Sequence, residues 1–399
     1  MERLVSLLGL LVMLALAWLL STNRWRMNFR LILSGIVLQF LFALLLLKTR
    51  PGEIAFQYAR LFVTQIVGFS DAGAEFVFGE GFREHYFAFS VLPTIIFVSS
   101  ITAVLFHLGV LQWVVKVMAW VMVWVMDTSG SESLAASANV YIGMTEAPLV
   151  VRPYLETMTR SELMALMTSG MATLAGGVMA AYVGMGADAG HLMAASLMSA
   201  PASLVIAKIL VPETSDSPTK ARVKIEIPRQ DANLLDAACR GAADGLKLAL
   251  NVAAMIIAFI AIVSMADWVL AGVGQSMGLS LSLERIFGWI FAPLAWIMGV
   301  SWDDAELVGM MLGKRTVFNE FLAYSDLIQL RDQLSPRSVT IATYALCGFA
   351  NFGSIAIQIG GVGSLVPSRR ADFARYGLLA MIGGTLASFM TATIAGILL

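Results

Sequence analysis

Long apolar runs recur along the whole chain, and they constrain its fold more than any other feature. Runs near or above the length of a membrane span occupy residues 4–20, 31–47, 90–106, 245–265 and 376–399. A helix needs about 20 mostly apolar residues to cross the hydrocarbon layer. The chain is 58% hydrophobic and 13% charged, and that charged share is about half of what a soluble domain carries. We therefore expect an all-α polytopic membrane protein.

Charge and cysteine content exclude several other classes of protein. The 26 basic and 27 acidic residues leave a net charge of -1, which gives no reason to expect a nucleic-acid partner. Cys239 and Cys347 are far apart and outside any CxxC motif, so they predict neither a disulfide framework nor a zinc site. Ser131 and Ser133 lie near acidic residues but lack a nearby His or Lys in sequence, so an intramembrane hydrolase is not expected.

The basic loops set the expected orientation in the membrane. Basic residues cluster at three places: Arg24, Arg26 and Arg30; Lys220, Arg222, Lys224 and Arg229; and Arg369, Arg370 and Arg375. Cytoplasmic loops are enriched in Lys and Arg, so all three clusters are expected to face the cytoplasm. Both termini then lie outside, and the first apolar run is read as an uncleaved span, because a second span follows it at once.

About eight crossings fit this arrangement. We predict spans at 4–20, 31–47, 162–185, 195–212, 243–272, 337–364 and 376–399, together with one net crossing and a bend within 90–126. Between 51 and 69, polar residues recur at steps of three and four among apolar ones, which is typical of an interfacial helix. The tract 213–238 is hydrophilic and reads as a cytoplasmic loop between two halves.

Each half contains one polar, poorly spanning segment followed by a span rich in glycine. In the first half the segment "NVYIGMTEAPLVVRPYL" carries Glu146, and in the second the segment "SWDDAELVGMMLGKRTVFNEFLAYSDL" carries Glu320. Irregular backbone at membrane depth survives only inside protein or along a wet cavity. Interrupted segments at matching places in two halves point to the midplane binding site of a transporter. The alternative is that the glycines only permit close helix packing, which small residues often do in membranes.

The motifs "GMTEAPLVVRPYL", "NEFLAY", "CGFANFGSIAIQIGGVG" and "ATIAGILL" resemble those of the concentrative nucleoside transporters, and in particular the bacterial members with eight membrane helices. The resemblance runs from about residue 85 to 399. It implies inverted repeats, a scaffold and a moving transport domain, two re-entrant hairpins of opposite orientation, a homotrimer, and inward nucleoside transport coupled to Na⁺. It also implies a multi-pass protein of the bacterial inner membrane, in contact with lipid.

On this basis the chain divides into four regions. They are 1–84 with the N-terminal spans and interfacial helix, 85–212 with hairpin 1 near 130–158, the cytoplasmic loop 213–242, and 243–399 with hairpin 2 near 301–331.

The resemblance also implies a set of site residues. A nucleoside offers two adjacent ribose hydroxyls, and a carboxylate accepts strong charge-assisted hydrogen bonds from such groups. Glu320 fits that role unless it only forms a structural ion pair with Arg315. The residues implied to hold the nucleoside are Gly143, Met144, Thr145, Glu146, Val178, Glu320, Phe349, Asn351 and Ser354.

A sodium site is implied beside the first hairpin. Na⁺ prefers oxygen ligands, and unwound carbonyls at broken helices supply them. The implied ligands are the backbone carbonyls of Asn139, Ile142, Thr173 and Leu174, with the side-chain oxygens of Asn139 and Thr173. A proton-coupled transporter, with Glu146 or Glu320 carrying the proton, is the main alternative. No prosthetic group is expected.

Two departures from the family pattern affect the expected selectivity and geometry. Met144 stands where many members have Gln, and the pair Gly143-Met144 is typical of members that favour purine nucleosides. We therefore expect a leaning toward adenosine, inosine or guanosine, with broad or pyrimidine selectivity as the alternative. Arg315 stands where the family usually has Lys, which keeps the charge but changes its geometry.

Overall fold

Helices account for all the regular structure in the residues that the computed structural model describes, which are 2–85, 87–220, 231–276 and 281–399. The first part of the chain forms α1 (Glu2–Leu19), α2 (Phe29–Lys48), α3 (Arg50–Phe78), α4 (Leu92–His107) and α5 (Val110–Met126). The first half continues with α6 (Gly130–Asn139), α7 (Ala147–Val150), α8 (Arg160–Ala172), α9 (Gly176–Met185) and α10 (Ala189–Leu210). The second half forms α11 (Leu234–Ser276), α12 (Leu283–Ile297), α13 (Trp302–Val317), α14 (Glu320–Gln329), α15 (Pro336–Leu346), α16 (Phe352–Leu365) and α17 (Arg370–Leu398).

Eight helices or helix pairs in the described ranges are long and apolar enough to cross a membrane, in agreement with the predicted polytopic fold. They are α1, α2, α3, α4 with its preceding turn, α8 with α9, α10, α11, and α17 with its preceding turn. The predicted span 337–364 is broken in the structure into α15 and α16. The predicted crossing within 90–126 is divided into α4 and α5 at Gly109, which has a positive φ of 84°.

Helix α3 is longer than the interfacial helix predicted for 51–69. Its 29 residues meet the length and apolarity of a span. Its contacts, however, lie at one end of the molecule. Arg60 pairs with Asp188 at the start of α10, and Ser70 accepts a 3.2 Å hydrogen bond from Thr94 near the start of α4. These contacts favour a helix that lies across that end rather than one that crosses.

The loops predicted to be cytoplasmic gather at the other end. The amide of Thr22 donates to the carbonyl of Leu210 at 2.8 Å, so the α1–α2 turn meets the end of α10. Arg369 donates to the carbonyl of Met158 at 2.8 Å. The basic residues 222, 224 and 229 of the predicted loop 213–242 lie outside the described residues. Both chain ends are at the opposite pole, where Arg3 donates to the carbonyl of Leu399 at 2.7 Å.

Two helical hairpins enter from opposite poles. Hairpin 1, formed by α6 and α7, begins at the pole of the loops that are predicted to be cytoplasmic. There the amide of Gly130 donates to the carbonyl of Thr219 at 3.1 Å. Hairpin 2, formed by α13 and α14, begins at the other pole, where α12 and α13 meet at a bend of 118°. Each hairpin is followed by a helix pair with a short break, α8–α9 after hairpin 1 and α15–α16 after hairpin 2. The two halves therefore repeat one plan in opposite orientations, as predicted.

A buried ionic network fixes the base of hairpin 1. Lys208 of α10 forms a 2.6 Å ion pair with Glu132 of α6, and both side chains are almost fully buried. Glu162 of α8 accepts hydrogen bonds from Ser129 at 2.6 Å and from Ser217 at 2.5 Å. Because buried charges are stable only when they are paired or hydrogen-bonded, this network ties the hairpin to α8, α10 and the following loop.

Candidate substrate-binding site

A cavity of about 470 Å³ lies where the two halves meet, and both predicted glutamates are on its wall. Hairpin 1 contributes Gly143, Met144, Thr145 and Glu146, and hairpin 2 contributes Asn319, Glu320 and Phe321. The break between α15 and α16 adds Phe349, Asn351 and Ser354. The volume lies within the usual range for pockets that hold a small molecule. Two glutamates that are 174 residues apart in sequence therefore line the same cavity.

Glu320 is held on the cavity wall by two hydrogen bonds. The Tyr182 hydroxyl donates to its Oε1 at 2.9 Å, and Asn351 Nδ2 donates to its Oε2 at 3.2 Å. The side chain is only 6% exposed. Each carboxylate oxygen has two lone pairs, so each can accept a further hydrogen bond. The carboxylate is thus fixed in place while it keeps the capacity to bind two hydroxyl groups of a ligand.

Local capping explains why these residues stand where the helices break. Asn319 caps α14 by accepting the amide of Leu322 at 3.0 Å, which places Glu320 in the first turn. Asn351 caps α16, since its Oδ1 accepts the amide and the hydroxyl of Ser354 at 2.9 and 3.2 Å. Asn is among the best N-cap residues because its side-chain oxygen satisfies a free helix amide. The Asn351 side chain therefore both caps the start of α16 and donates a hydrogen bond to Glu320.

The tip of hairpin 1 presents a turn to the cavity from the other side. The carbonyl of Gly143 accepts the amides of Glu146 and Ala147, both at 2.9 Å, and Pro148 lies in the first turn of the short helix α7. Proline fits the first turn of a helix, but it cannot continue a helix that arrives from before it. This keeps α6 and α7 separate. Thr145 is exposed to the cavity, Glu146 is half-buried and Met144 is buried.

Several oxygens in the turns behind this tip have no hydrogen-bond donor among the described residues. Among the described residues, no donor reaches the backbone carbonyls of Asn139, Ile142, Thr173 and Leu174. Asn139 Oδ1 is likewise buried without a partner, while its Nδ2 donates to Ala135 and Ser169. The two turns also touch, because the amide of Gly176 donates to the carbonyl of Tyr141 at 3.2 Å. Buried oxygens without donors are the chemistry that a desolvated Na⁺ would satisfy.

The Thr173 hydroxyl donates to the Ser169 carbonyl at 2.8 Å, which leaves the lone pairs of its oxygen available. Within the described parts of the chain there is no group of three or more His, Cys, Asp or Glu side chains that could hold a metal. This arrangement of neutral oxygens suits a monovalent cation better than a transition metal.

Val178 is the one predicted substrate residue that the structure keeps away from the cavity wall. It lies in α9, is 2% exposed and packs in the core. Ile142, predicted as a cation ligand through its carbonyl, does reach the wall. All the other predicted substrate residues line the cavity.

Sequence reasoning missed one side of the cavity, which is formed by α4 and α11. Ser99, Thr102, Asp244 and Asn251 are among the residues there. Arg240 also lies on this wall and binds Asp231 through two hydrogen bonds of 2.6 and 3.0 Å. These bonds hold the pKa of the Asp231 carboxyl below its usual value. Charged residues at helical spacing near the start of α11 were the only signal in the sequence.

Arg315 is not the ion-pair partner of Glu320. No carboxylate oxygen of the described residues lies within 4 Å of its guanidinium, although the side chain is fully buried. It donates instead to the carbonyl of Gly348 at 3.4 Å and to the hydroxyl of Ser388 at 3.0 Å. Arg315 therefore supports the break between α15 and α16, and Glu320 remains available to a ligand.

Family models match most of the chain. The model described as "Na+ dependent nucleoside transporter C-terminus" covers residues 191–396, and its N-terminal counterpart covers 8–81. A third model, described as "Nucleoside recognition", covers 88–189.

Curated relatives match over the full length of the chain. Mouse solute carrier family 28 member 3 is 44% identical over 100% of this chain and 59% of that protein, so the chain spans about three-fifths of this relative. An uncharacterised transporter of Haemophilus influenzae is 43% identical and is matched over 98% of its own length.

Solved structures agree with the architecture. CNTnw in an inward-facing, substrate-bound state matches with a TM-score of 0.93 and 40% identity, over 100% of this chain and 98% of that chain. A CNTnw variant in an outward-facing state matches with a TM-score of 0.94 and 41% identity, over 100% and 97%.

Proposed function

Because the chain belongs to the Na⁺-dependent nucleoside transporter family, we propose that it is a symporter that imports nucleosides together with Na⁺. The family consists of transporters rather than enzymes. One observation carries the proposal for this chain: Glu146 and Glu320, from hairpins that enter from opposite poles, line the same cavity. An ionisable group within the membrane is expected to have a functional role.

Glu320 is the proposed anchor for the ribose. The carboxylate accepts from the two ribose hydroxyls while Tyr182 and Asn351 keep it in place. Asn351 and Ser354 complete the polar side of the site. Phe349, Gly143, Met144, Thr145 and Glu146 face the base, whose flat apolar surface packs against Phe349 and Met144. Val178 contributes indirectly, through packing behind this wall.

Na⁺ is the proposed coupling ion, bound by the oxygens of Asn139, Ile142, Thr173 and Leu174. The cation orders the turn at residues 140–146, which carries the base-facing residues. It also offsets the charge of Glu146. Without it the same oxygens remain buried and unsatisfied, at about 1–3 kcal/mol for each such group. Substrate therefore binds more tightly when Na⁺ is present.

Transport itself is proposed to follow alternating access of the elevator type. The two hairpins and the two broken helix pairs move as one transport domain against a scaffold that includes residues 1–84 and α11. The inward- and outward-facing structures of CNTnw support two such states for a protein of this fold. We further propose a homotrimer in the inner membrane of a bacterium. We also propose a preference for purine nucleosides, because a thioether at position 144 cannot supply the hydrogen bonds of an amide.

Uptake into sealed vesicles tests these proposals. Purified protein in liposomes should accumulate tritiated nucleoside when an inward Na⁺ gradient is imposed at equal pH on both sides. Unlabelled nucleosides are then added as competitors of this uptake: adenosine, inosine, guanosine, uridine and cytidine. The purine nucleosides should inhibit uptake at lower concentrations than the pyrimidine nucleosides. Accumulation driven by a pH gradient, and indifferent to Na⁺, would favour the proton-coupled alternative. Flux without accumulation under either gradient would indicate a passive channel.

A further inference from the structure

Gln358 is a buried glutamine of α16 that reaches across to the first half of the chain. Its side chain is 2% exposed. Nε2 donates to the carbonyl of Met167 in α8 at 3.0 Å and lies 4.0 Å from the sulfur of Met144. Sequence reasoning gave it no role, since a single glutamine in a glycine-rich span has no informative neighbour.

The orientation of this amide is determined by its partner. Because the Met167 carbonyl can only accept, the NH₂ group of Gln358 must face it, and Oε1 must point elsewhere. Oε1 is buried and has no donor among the described residues. Asn139 is held in the same way, with Nδ2 on the carbonyl of Ala135 at 3.0 Å and Oδ1 without a donor.

The two amides and the base-facing methionine converge over one glycine. A Cβ atom at Gly170 would lie 2.9 Å from Gln358 Nε2, 2.9 Å from Met144 Cβ and 3.6 Å from Asn139 Oδ1. Only glycine at this position of α8 leaves room for the glutamine side chain. Gln358 therefore contacts Met144 of the nucleoside site, in the immediate neighbourhood of Asn139 of the cation site.

The same residue is linked to Glu320 through its own helix. Gln358 lies seven residues, or about two helical turns, beyond Asn351, and so on the same face of α16. Asn351 donates to Glu320 at 3.2 Å. A displacement of the hairpin 1 tip that moves Gln358 would thus shift the helix whose start holds the ribose-binding carboxylate.

We propose that Gln358 is a positioning residue that couples cation binding to nucleoside binding. The inference rests on the proposed Na⁺-coupled function. A cation that binds Asn139 Oδ1 fixes the turn next to Gln358. The Gln358 amide is hydrogen-bonded to α8 and contacts Met144. It therefore restricts the positions of the base-facing tip and of α16 once the turn is fixed. Without the amide, each ligand still has its own site, but binding of one no longer favours the other.

The coupling can be measured by isothermal titration of the detergent-solubilised full-length protein. Adenosine and uridine are titrated in NaCl and in choline chloride at equal ionic strength and pH, and the ratio of the two dissociation constants gives the gain due to Na⁺. Gln358→Met keeps length and packing but removes the amide. We expect it to lower this ratio about tenfold and to leave the dissociation constant in choline within about twofold of wild type.

Two further variants separate coupling from structure. Gly170→Ala leaves the glutamine in sequence but places a Cβ atom 2.9 Å from its Nε2 and 2.9 Å from Met144 Cβ, so it should lower the ratio as Gln358→Met does. Gln39→Met is a matched control, because Gln39 is also fully buried, with Nε2 on the Gly35 carbonyl at 3.3 Å and Oε1 without a donor, but lies in α2. It should keep the wild-type ratio.

An unchanged ratio in Gln358→Met overturns the proposal. An equal loss of affinity with and without Na⁺ in Gln358→Met also overturns it. So does a loss of affinity that accompanies a lower melting temperature in both Gln358→Met and Gly170→Ala. Either result would assign Gln358 a purely structural role. A wild-type protein whose affinity ignores Na⁺ contradicts the proposed function itself, and that result is distinct from the others.

Discussion

Replacement of Glu320 by Gln changes the charge of the proposed ribose anchor with almost no change of shape. The carboxylate accepts from Tyr182 on one oxygen and from Asn351 on the other. In Glu320→Gln the amide oxygen can face only one of these donors. Asn351 cannot turn to compensate, because its Oδ1 already accepts the amide and hydroxyl of Ser354. The amide oxygen can accept from Asn351 while the NH₂ group donates to the Tyr182 hydroxyl, which can also accept, so Glu320→Gln mainly loses the charge-assisted bonds to substrate.

The size of the effect follows from two hydrogen bonds. A bond to a charged acceptor contributes about 1.5–3 kcal/mol and a neutral one about 0.5–1.5 kcal/mol. Two ribose hydroxyls therefore lose together about 2–3 kcal/mol, which corresponds to about a 30- to 150-fold weaker dissociation constant. We expect the loss to be the same for adenosine and uridine, because both carry the same ribose.

Isothermal titration with both nucleosides at saturating Na⁺ measures this change, and 2′,3′-dideoxy analogues provide the substrate-side control. Wild-type protein should lose affinity for the dideoxy analogue, and Glu320→Gln should reduce this discrimination by the same factor of about 30 to 150. Glu306→Gln, an exposed position on the same hairpin, controls for the substitution itself. Affinity of Glu320→Gln within threefold of wild type, at unchanged melting temperature, would refute the assignment of the carboxylate to the ribose.

Three further changes test other parts of the structure. Thr173→Val removes a hydroxyl but keeps the shape of the side chain, so the Na⁺ concentration for half-maximal uptake should rise about tenfold; an unchanged value contradicts the cation site. Met144→Gln supplies an amide to the base edge and should shift competition toward uridine about fivefold relative to adenosine, whereas an unchanged order of inhibitors excludes position 144 as a determinant of selectivity. Lys208→Met leaves Glu132 buried without its cation and should destabilise by about 3–5 kcal/mol; the double variant with Glu132→Gln should recover most of the lost melting temperature, and no recovery would contradict their pairing.

The sequence predicted the broken elements well because polar residues inside apolar runs are hard to explain otherwise. Glu146 with Pro148 indicated the first hairpin, and Glu320 indicated the second. The structure contains helix breaks at both places. Helix α3 was harder to place, since its length fits a span and only its contacts at one pole indicate a different position.

Contacts between distant residues left no local signal. Tyr182 and Glu320 are 138 residues apart, and neither sequence neighbourhood indicates the other. The wall formed by α4 and α11 was missed for the same reason, as was the bond between Gln358 and Met167 across 191 residues. Periodicity identifies which face of a helix is apolar, but not which other helix meets it. Single-sequence reasoning therefore finds the hairpin tips and not their surroundings.

Broken helices explain how a membrane protein can keep a carboxylate ready for a neutral ligand. A buried charge is costly, and the free amides at a helix N-terminus reduce that cost because they carry partial positive charge. Glu320 stands in the first turn of α14, and Asn351, which donates to it, caps the start of α16. Continuous helices would offer no such ends at mid-depth. The breaks that make these segments poor spans therefore also supply the electrostatic support that a nucleoside-binding carboxylate requires.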